Sequence, residues 1–268
     1  LEGRMSATIH PSAIIEEGAV VGDGCSIGAF STIGPNVSLG AGTVVHPHVV
    51  LGGHLSIGKD CEIFPFACLG MKTQDLKYAG DVTYVSIGDR TVIREYVTIN
   101  LATQSGGTTA VGSDCLIQSY CHIAHECVLG DHVIMSSGAM LAGHVEVGDG
   151  AVIAGYTGVV QFCRIGRMAM LGGYSKLTQD ILPFTIGEGI PAHIRTVNRI
   201  RMERFGGFSP EQIRNVNKAF KAIIRSGKPL DEAIAELRAE LPDDDNVAEM
   251  IQFASSSERG LARPRAGE

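Results

Sequence analysis

Cys121-His122-Ile123-Ala124-His125-Glu126-Cys127 places two imidazoles in an otherwise small and apolar neighbourhood, and its meaning depends on what recurs around it. In steps of six from Ile123, aliphatic residues fall at every position from Ile9 to Leu69, again at Ile87, Ile93 and Ile99, and then from Val111 to Leu177. The series has 26 hits in 29 frames, and its misses are Asp75, Asp81 and Ser105. A six-residue period held this long marks a parallel β-helix, each hexad being one short strand and a turn. Three hexads close a triangular coil, so residues one coil apart stack at about 4.8 Å, the spacing of paired strands. On that geometry His125, then Gly143 beside His144, then Gln161 climb a single ridge, with His122 one turn back. First-position residues point inward, whereas His125, third in its hexad, and His144, fourth, are expected to face out.

Composition agrees with a solenoid of tight turns: 34 glycines, no Trp and 19% charged residues in 268. A net charge of -7 argues against general nucleic-acid binding. That average hides a basic stretch over 190–228, where Arg195, Arg199, Arg201, Arg204, Arg214, Lys218, Lys221, Arg225 and Lys228 face only Glu203 and Glu211. Such a patch on an acidic chain suits an acidic partner or phosphate, or is a set of solvated helix faces. Six of the seven cysteines (Cys25, Cys61, Cys115, Cys121, Cys127 and Cys163) take the fifth hexad position, the small inward slot. They read as packing residues of a reducing compartment, not as disulfides or ligands. No apolar run has the roughly 18 residues of a membrane span, so no integral membrane segment and a cytoplasmic location are expected.

Residues 1–4, Leu1-Glu2-Gly3-Arg4 before Met5, read as a non-native leader. The solenoid is expected over 5–190, with loops near 73–84 and 103–109 that leave and rejoin the register. Loops on one face of a repeat protein commonly bind ligands. Pro183 and Pro191 end the repeat, and 191–268 should form a small C-terminal α-helical domain. Ser209-Pro210-Glu211-Gln212 opens a helix with a capping box and proline in its first turn. Ile213, Val216, Phe220, Ile223 and Ile224 make its apolar stripe and Gly227 closes it, leaving Arg214, Lys218, Lys221 and Arg225 to turn a basic face toward the base of the coil. Helices over about 230–241 and 246–255 follow, and the tail after Arg259 is expected to fray.

Three chemistries fit outward histidines on a rigid scaffold. His122, His125 and His144 could offer three nitrogens to zinc, as in β-helix enzymes of the γ-carbonic-anhydrase type. Alternatively His125, oriented by Glu126, removes a proton from an alcohol that attacks an activated acyl carbon, while the Gly143 N–H stabilises the oxyanion. The third reading is a non-catalytic scaffold with inert surface histidines.

The hexads, the loop Gln74-Asp75-Leu76-Lys77-Tyr78-Ala79-Gly80, the runs His122-Ile123-Ala124-His125 and Leu141-Ala142-Gly143-His144-Val145, Gln161-Phe162-Cys163 and Arg225-Ser226-Gly227-Lys228 together resemble the UDP-N-acetylglucosamine O-acyltransferases of lipid A biosynthesis. The resemblance runs from Ile9 to Gly260. It implies an all-β solenoid, a left-handed parallel β-helix of hexapeptide repeats, assembled as a homotrimer with sites between subunits. It also implies transfer of a 3-hydroxyacyl group from the phosphopantetheine of acyl carrier protein to the 3-hydroxyl of UDP-N-acetylglucosamine, with no metal and no further cofactor. Carried over residue by residue, His125 is the general base, Glu126 orients it and Gly143 supplies the oxyanion N–H. Asp75, Lys77, His122, His144, Gln161 and Asn198 bind substrate, Gly173 stands near the end of the acyl channel, and Arg204 is the candidate phosphate ligand. Three positions depart from the family: Val160 replaces a usual histidine, Glu126 a commoner Asp, and the segment 198–208 is one residue longer.

Overall fold

The computed structural model describes residues 6–265, so the leader 1–4 lies outside them. Among those residues, strands mostly two residues long build three parallel faces, which begin at Thr8–Ile9, Ile14–Ile15 and Val20–Val21 and hold eleven, nine and eight strands. Each strand pairs with its counterpart one coil on: His122 with Met140, Met140 with Gly158, Gly158 with Lys176. From Ile27 to Leu177 every aliphatic of the six-residue series is buried, whereas Ile9, in the first coil of the described residues, is 44% exposed.

The corners explain two side-chain patterns. The fourth hexad residue takes positive φ to turn the chain, as at Glu126 (54°), His144 (60°) and Phe162 (64°). That conformation costs a non-glycine residue about 1–2 kcal/mol and persists only where the surrounding coils over-determine it. The fifth-position cysteines are buried and free, but they do more than fill space. Cys25, Cys121 and Cys127 donate their thiols to the carbonyls of Gly40, Ser136 and Ala142 on the next coil. Burial pushes Cys127 up to about 12, so the thiol stays protonated and unreactive.

Both loops rejoin in register. Strand partners stand 30 residues apart across the first loop, as in Glu62 with Val92, and 24 apart across the second, as in Val92 with Leu116. Past Leu177 the parallel order gives way to an antiparallel hairpin of Thr185–Glu188 with His193–Val197. Helices α1 (Arg199–Arg204), α2 (Pro210–Phe220), α3 (Leu230–Glu240) and α4 (Asp245–Ser255) follow. Ser209 and Gln212 form the expected capping box, and α2 runs on through a π-helical turn at Lys221–Arg225. The helices enclose a second core, joined to the coil through Met168, Leu182 and Phe184. Arg167 bolts the two together, its guanidinium stacking on Phe184 and bonding Glu249 and Asn246 of α4.

Two expectations change. The described part of the tail past Arg259, through residue 265, is docked: Ala262 is fully buried and its N–H donates to the Asp180 carbonyl at 2.8 Å, because the coil's last strand edge needs a partner. The basic side of α2 is also partly neutralised, with Lys218 paired to Glu240 of α3 and Arg225 donating to the Arg195 carbonyl. No helix of the described residues is long and apolar enough to cross a membrane.

Candidate active site

The corner between the second and third faces carries the histidines. Gly143 stacks on His125 so closely that a Cβ there would lie 2.3 Å from His125 Cε1 and 2.5 Å from Nε2. Glycine is required because the imidazole occupies the side-chain space. The Gly143 N–H meets no acceptor among the described residues, since third-position amides point out of the coil ladder while the flanking Ala142 and His144 amides are bonded. It therefore stands beside His125 as an available donor.

His125 departs from expectation in one respect: it faces out of the coil yet is only 7% exposed. The two loops cover it. Its Nδ1 makes a short hydrogen bond to Glu126 Oε2, and Glu126 Oε1 accepts the N–H groups of Thr103 (2.6 Å) and Gln104 (2.8 Å) from the second loop. The additional methylene of Glu126 lets one carboxylate reach both the imidazole and these amides. Burial pushes Glu126 up, but the Gln104 amide, the imidazole and the Thr103 amide outweigh it, and its pKa falls below the ordinary carboxylate value. The anionic Glu126 accepts from Nδ1, which turns Nε2 away from it and toward Asp75. Nε2 lies 3.9 Å from Asp75 Oδ2, too far for a direct bond, so the carboxylate stands beside the imidazole as a second acceptor.

His144 meets His125 edge-on at 5.2 Å and stacks on Phe162 at 4.6 Å. His122 sits on the outer wall, its Nδ1 2.7 Å from the Thr98 hydroxyl; burial, then the charge of His125, pulls its pKa down. The three-histidine metal set is not the one assembled here. Among the described residues the group with ligand atoms within 4.8 Å of one another is His125, Glu126 and His144, and the Glu126 oxygens in it are already engaged.

A groove of about 750 Å³ leads away from this corner across the second face, from Ala124 and Ala142 past His122, Met140, Val160, Gln161 and Phe162 to Lys176 and Arg259. Its walls are apolar, and no acidic residue lines it. Sequence reasoning missed Lys176, Arg259 and the amides of Thr103 and Gln104. The lysine is visible only as one step further along the His122-Met140-Gly158 column, and backbone amides carry no side-chain signal at all.

The remaining expected residues lie elsewhere in the same chain. Asp75 and exposed Lys77 come from the first loop, with the Lys77 N–H donating to Asp75 Oδ1 at 3.0 Å. Gly173 stacks on Gly155 at the corner between the first and second faces, across the second face from His125. Asn198 is 5% exposed: its side-chain oxygen caps α1 and its Nδ2 donates to the Met168 carbonyl at 2.9 Å. Of the arginines in α1, Arg199 pairs with Glu203 and Arg201 bonds the Gly150 carbonyl and lies over Phe205. Arg204 is exposed and has no ion pair among the described residues.

A coil of hexapeptide repeats, a loop-covered histidine and carboxylate, and a helical cap define a hexapeptide-repeat acyltransferase. Residues 6–35 and 108–143 match the bacterial transferase hexapeptide model, and 180–262 match domain 2 of UDP-N-acetylglucosamine O-acyltransferase. LpxA from Acinetobacter baumannii is 39% identical over 95% of this chain and 99% of its own, with a TM-score of 0.92. The UDP-N-acetylglucosamine acyltransferase of Campylobacter jejuni is 37% identical over 96% and 100% (TM-score 0.91), and that of Francisella novicida 33% over 97% and 95% (0.92). The chain belongs to the UDP-N-acetylglucosamine O-acyltransferase family, and its solenoid is a left-handed parallel β-helix.

Proposed function

We propose that this enzyme moves a 3-hydroxyacyl group from the phosphopantetheine thioester of acyl carrier protein to the 3-hydroxyl of UDP-N-acetylglucosamine, the opening step of lipid A biosynthesis, in the cytoplasm. The observation that carries the reading is the Glu126-His125-Gly143 stack, a base oriented by a carboxylate beside an available amide donor. His125 Nε2 takes the proton of the sugar hydroxyl as its oxygen attacks the thioester carbonyl. The carbonyl oxygen becomes an oxyanion facing the Gly143 N–H, the C–S bond breaks, and the imidazolium returns the proton to the departing thiolate. Asp75, beside Nε2, accepts from another hydroxyl or N–H donor of the sugar and so holds the acceptor in place. The apolar groove ending in Lys176 and Arg259 suits an amphiphilic arm with an anionic end, as phosphopantetheine is.

The homotrimer that the family resemblance implies is supported by the placement of two residues assigned to one site. Gly173 and His125 occupy different corners of one chain, so they meet only when a second copy brings its corner alongside. The Gly173 corner also carries an exposed ladder of stacked rings, Phe30, His48, Phe66, Tyr96 and Tyr120, with centroids 4.8 to 5.3 Å apart, a surface that a neighbouring copy would cover. Arg204, free on α1, is our candidate for the nucleotide phosphates.

The test is a panel of acyl carrier protein thioesters differing in chain length and 3-hydroxylation, offered with UDP-N-acetylglucosamine and with its 3-amino counterpart, products being identified by mass. An O-acylated nucleotide sugar is expected, and silence with every pair would overturn the reading. A product only with the amino sugar would correct the acceptor, the change falling near Val160.

A further inference from the structure

The two loops touch through a pair of hydroxyls that the chemistry above does not use. Thr73 and Thr103 are 4% and 7% exposed, and their Oγ1 atoms are 3.0 Å apart. Thr73 Oγ1 also accepts the Asp75 N–H at 3.2 Å. The Asp75 carboxylate lies below its ordinary pKa range, held there first by the Lys77 amide against the opposing effect of burial, and further by the charges of His125 and Lys77. The Thr103 N–H meanwhile donates to Glu126 Oε1, and the same carboxylate holds His125, whose Nε2 faces Asp75. These contacts form a ring open at one place: hydrogen bonds link His125, Glu126, Thr103, Thr73 and Asp75 in turn, and a gap of 3.9 Å separates Asp75 from His125.

We propose that Thr103 is a positioning residue that couples the acceptor-holding loop to the catalytic base, its N–H fixing Glu126 while its hydroxyl fixes Thr73, which in turn accepts the Asp75 N–H. The first loop then cannot shift without disturbing the amides that hold Glu126, so seating the sugar and aiming the imidazole become one event. Buried hydroxyls with mutual partners are costly to unpair, which keeps the loops registered. The proposal rests on Asp75 holding the acceptor, and part of its test needs no substrate.

Thr103→Val keeps the side-chain shape and the N–H and removes only the hydroxyl. It should lower kcat on the order of tenfold, the upper scale of one buried hydrogen bond, and Thr103→Ser should restore the rate. In a Thr73→Val background the same change should cost little more, because the link is already broken; a threonine that acts independently of Thr73 would cost equally in both backgrounds. In the resting protein, Thr73→Val should speed hydrogen exchange at the Thr103 and Gln104 amides, whatever the acceptor proves to be. Equal losses in the two backgrounds, or unchanged exchange at those amides, would overturn the coupling. A wild type inactive with every acceptor would overturn the proposed function and leave the exchange result to decide the ring.

Discussion

At the scale of single residues the site is governed by what Gly143 lacks. A methyl group there would occupy the position of the His125 ring, so Gly143→Ala should displace the base by a large fraction of its own width. The expected outcome is a fall in kcat of at least about 10²-fold, because a misplaced base and a crowded oxyanion donor act together. The melting temperature should change little, and a variant with unimpaired kcat would show that the stack is not the reacting centre. Glu126 gives a second prediction, through linkage. Its folded-state pKa is depressed, so it stabilises the fold above its unfolded value of about 4.3, and that contribution is lost as pH falls through the folded pKa. Urea unfolding of wild type and Glu126→Gln should therefore differ near neutrality and converge in acid. A gap independent of pH would mean that the carboxylate's charge contributes nothing to stability.

At the scale of elements, coil and cap obey separate rules. The capping box at Ser209 satisfies amides at the start of α2, and Ser209→Ala should cost about 1 kcal/mol, read as a lower midpoint in chemical denaturation. No loss would mean that packing against the second core alone holds α2. The same separation explains what the sequence disclosed. The coil was legible because each inward aliphatic obeys one period, from Ile27 to Leu177, and the ridge of His125, Gly143 and Gln161 follows by counting. The hairpin at Thr185–Glu188 and His193–Val197, the short helix α1 and the docked tail at Ala262 were not, because they answer to an exposed strand edge and to Phe184 and Met168, not to a period. The burial of His125 was illegible for a related reason. Its cover comes from loops whose anchoring groups, the amides of Thr103 and Gln104, are common to every sequence.

At the scale of the whole molecule, the corner with His125 and the corner with Gly173 and its aromatic ladder would have to come from different subunits. Co-expressed His125→Ala and Gly173→Met chains should then regain long-chain transfer that neither has alone, since some mixed interfaces would pair an intact His125 with an intact Gly173. Absence of complementation in confirmed mixed oligomers would place the site within one chain. The central claim, however, concerns the base itself, and the most direct measurement is the rate of acyl transfer to UDP-N-acetylglucosamine by wild type beside His125→Ala. The account predicts a loss of at least about 10²-fold, the lower range for removing a general base, with the fold intact. A His125→Ala protein that transfers acyl groups at close to the wild-type rate would contradict it.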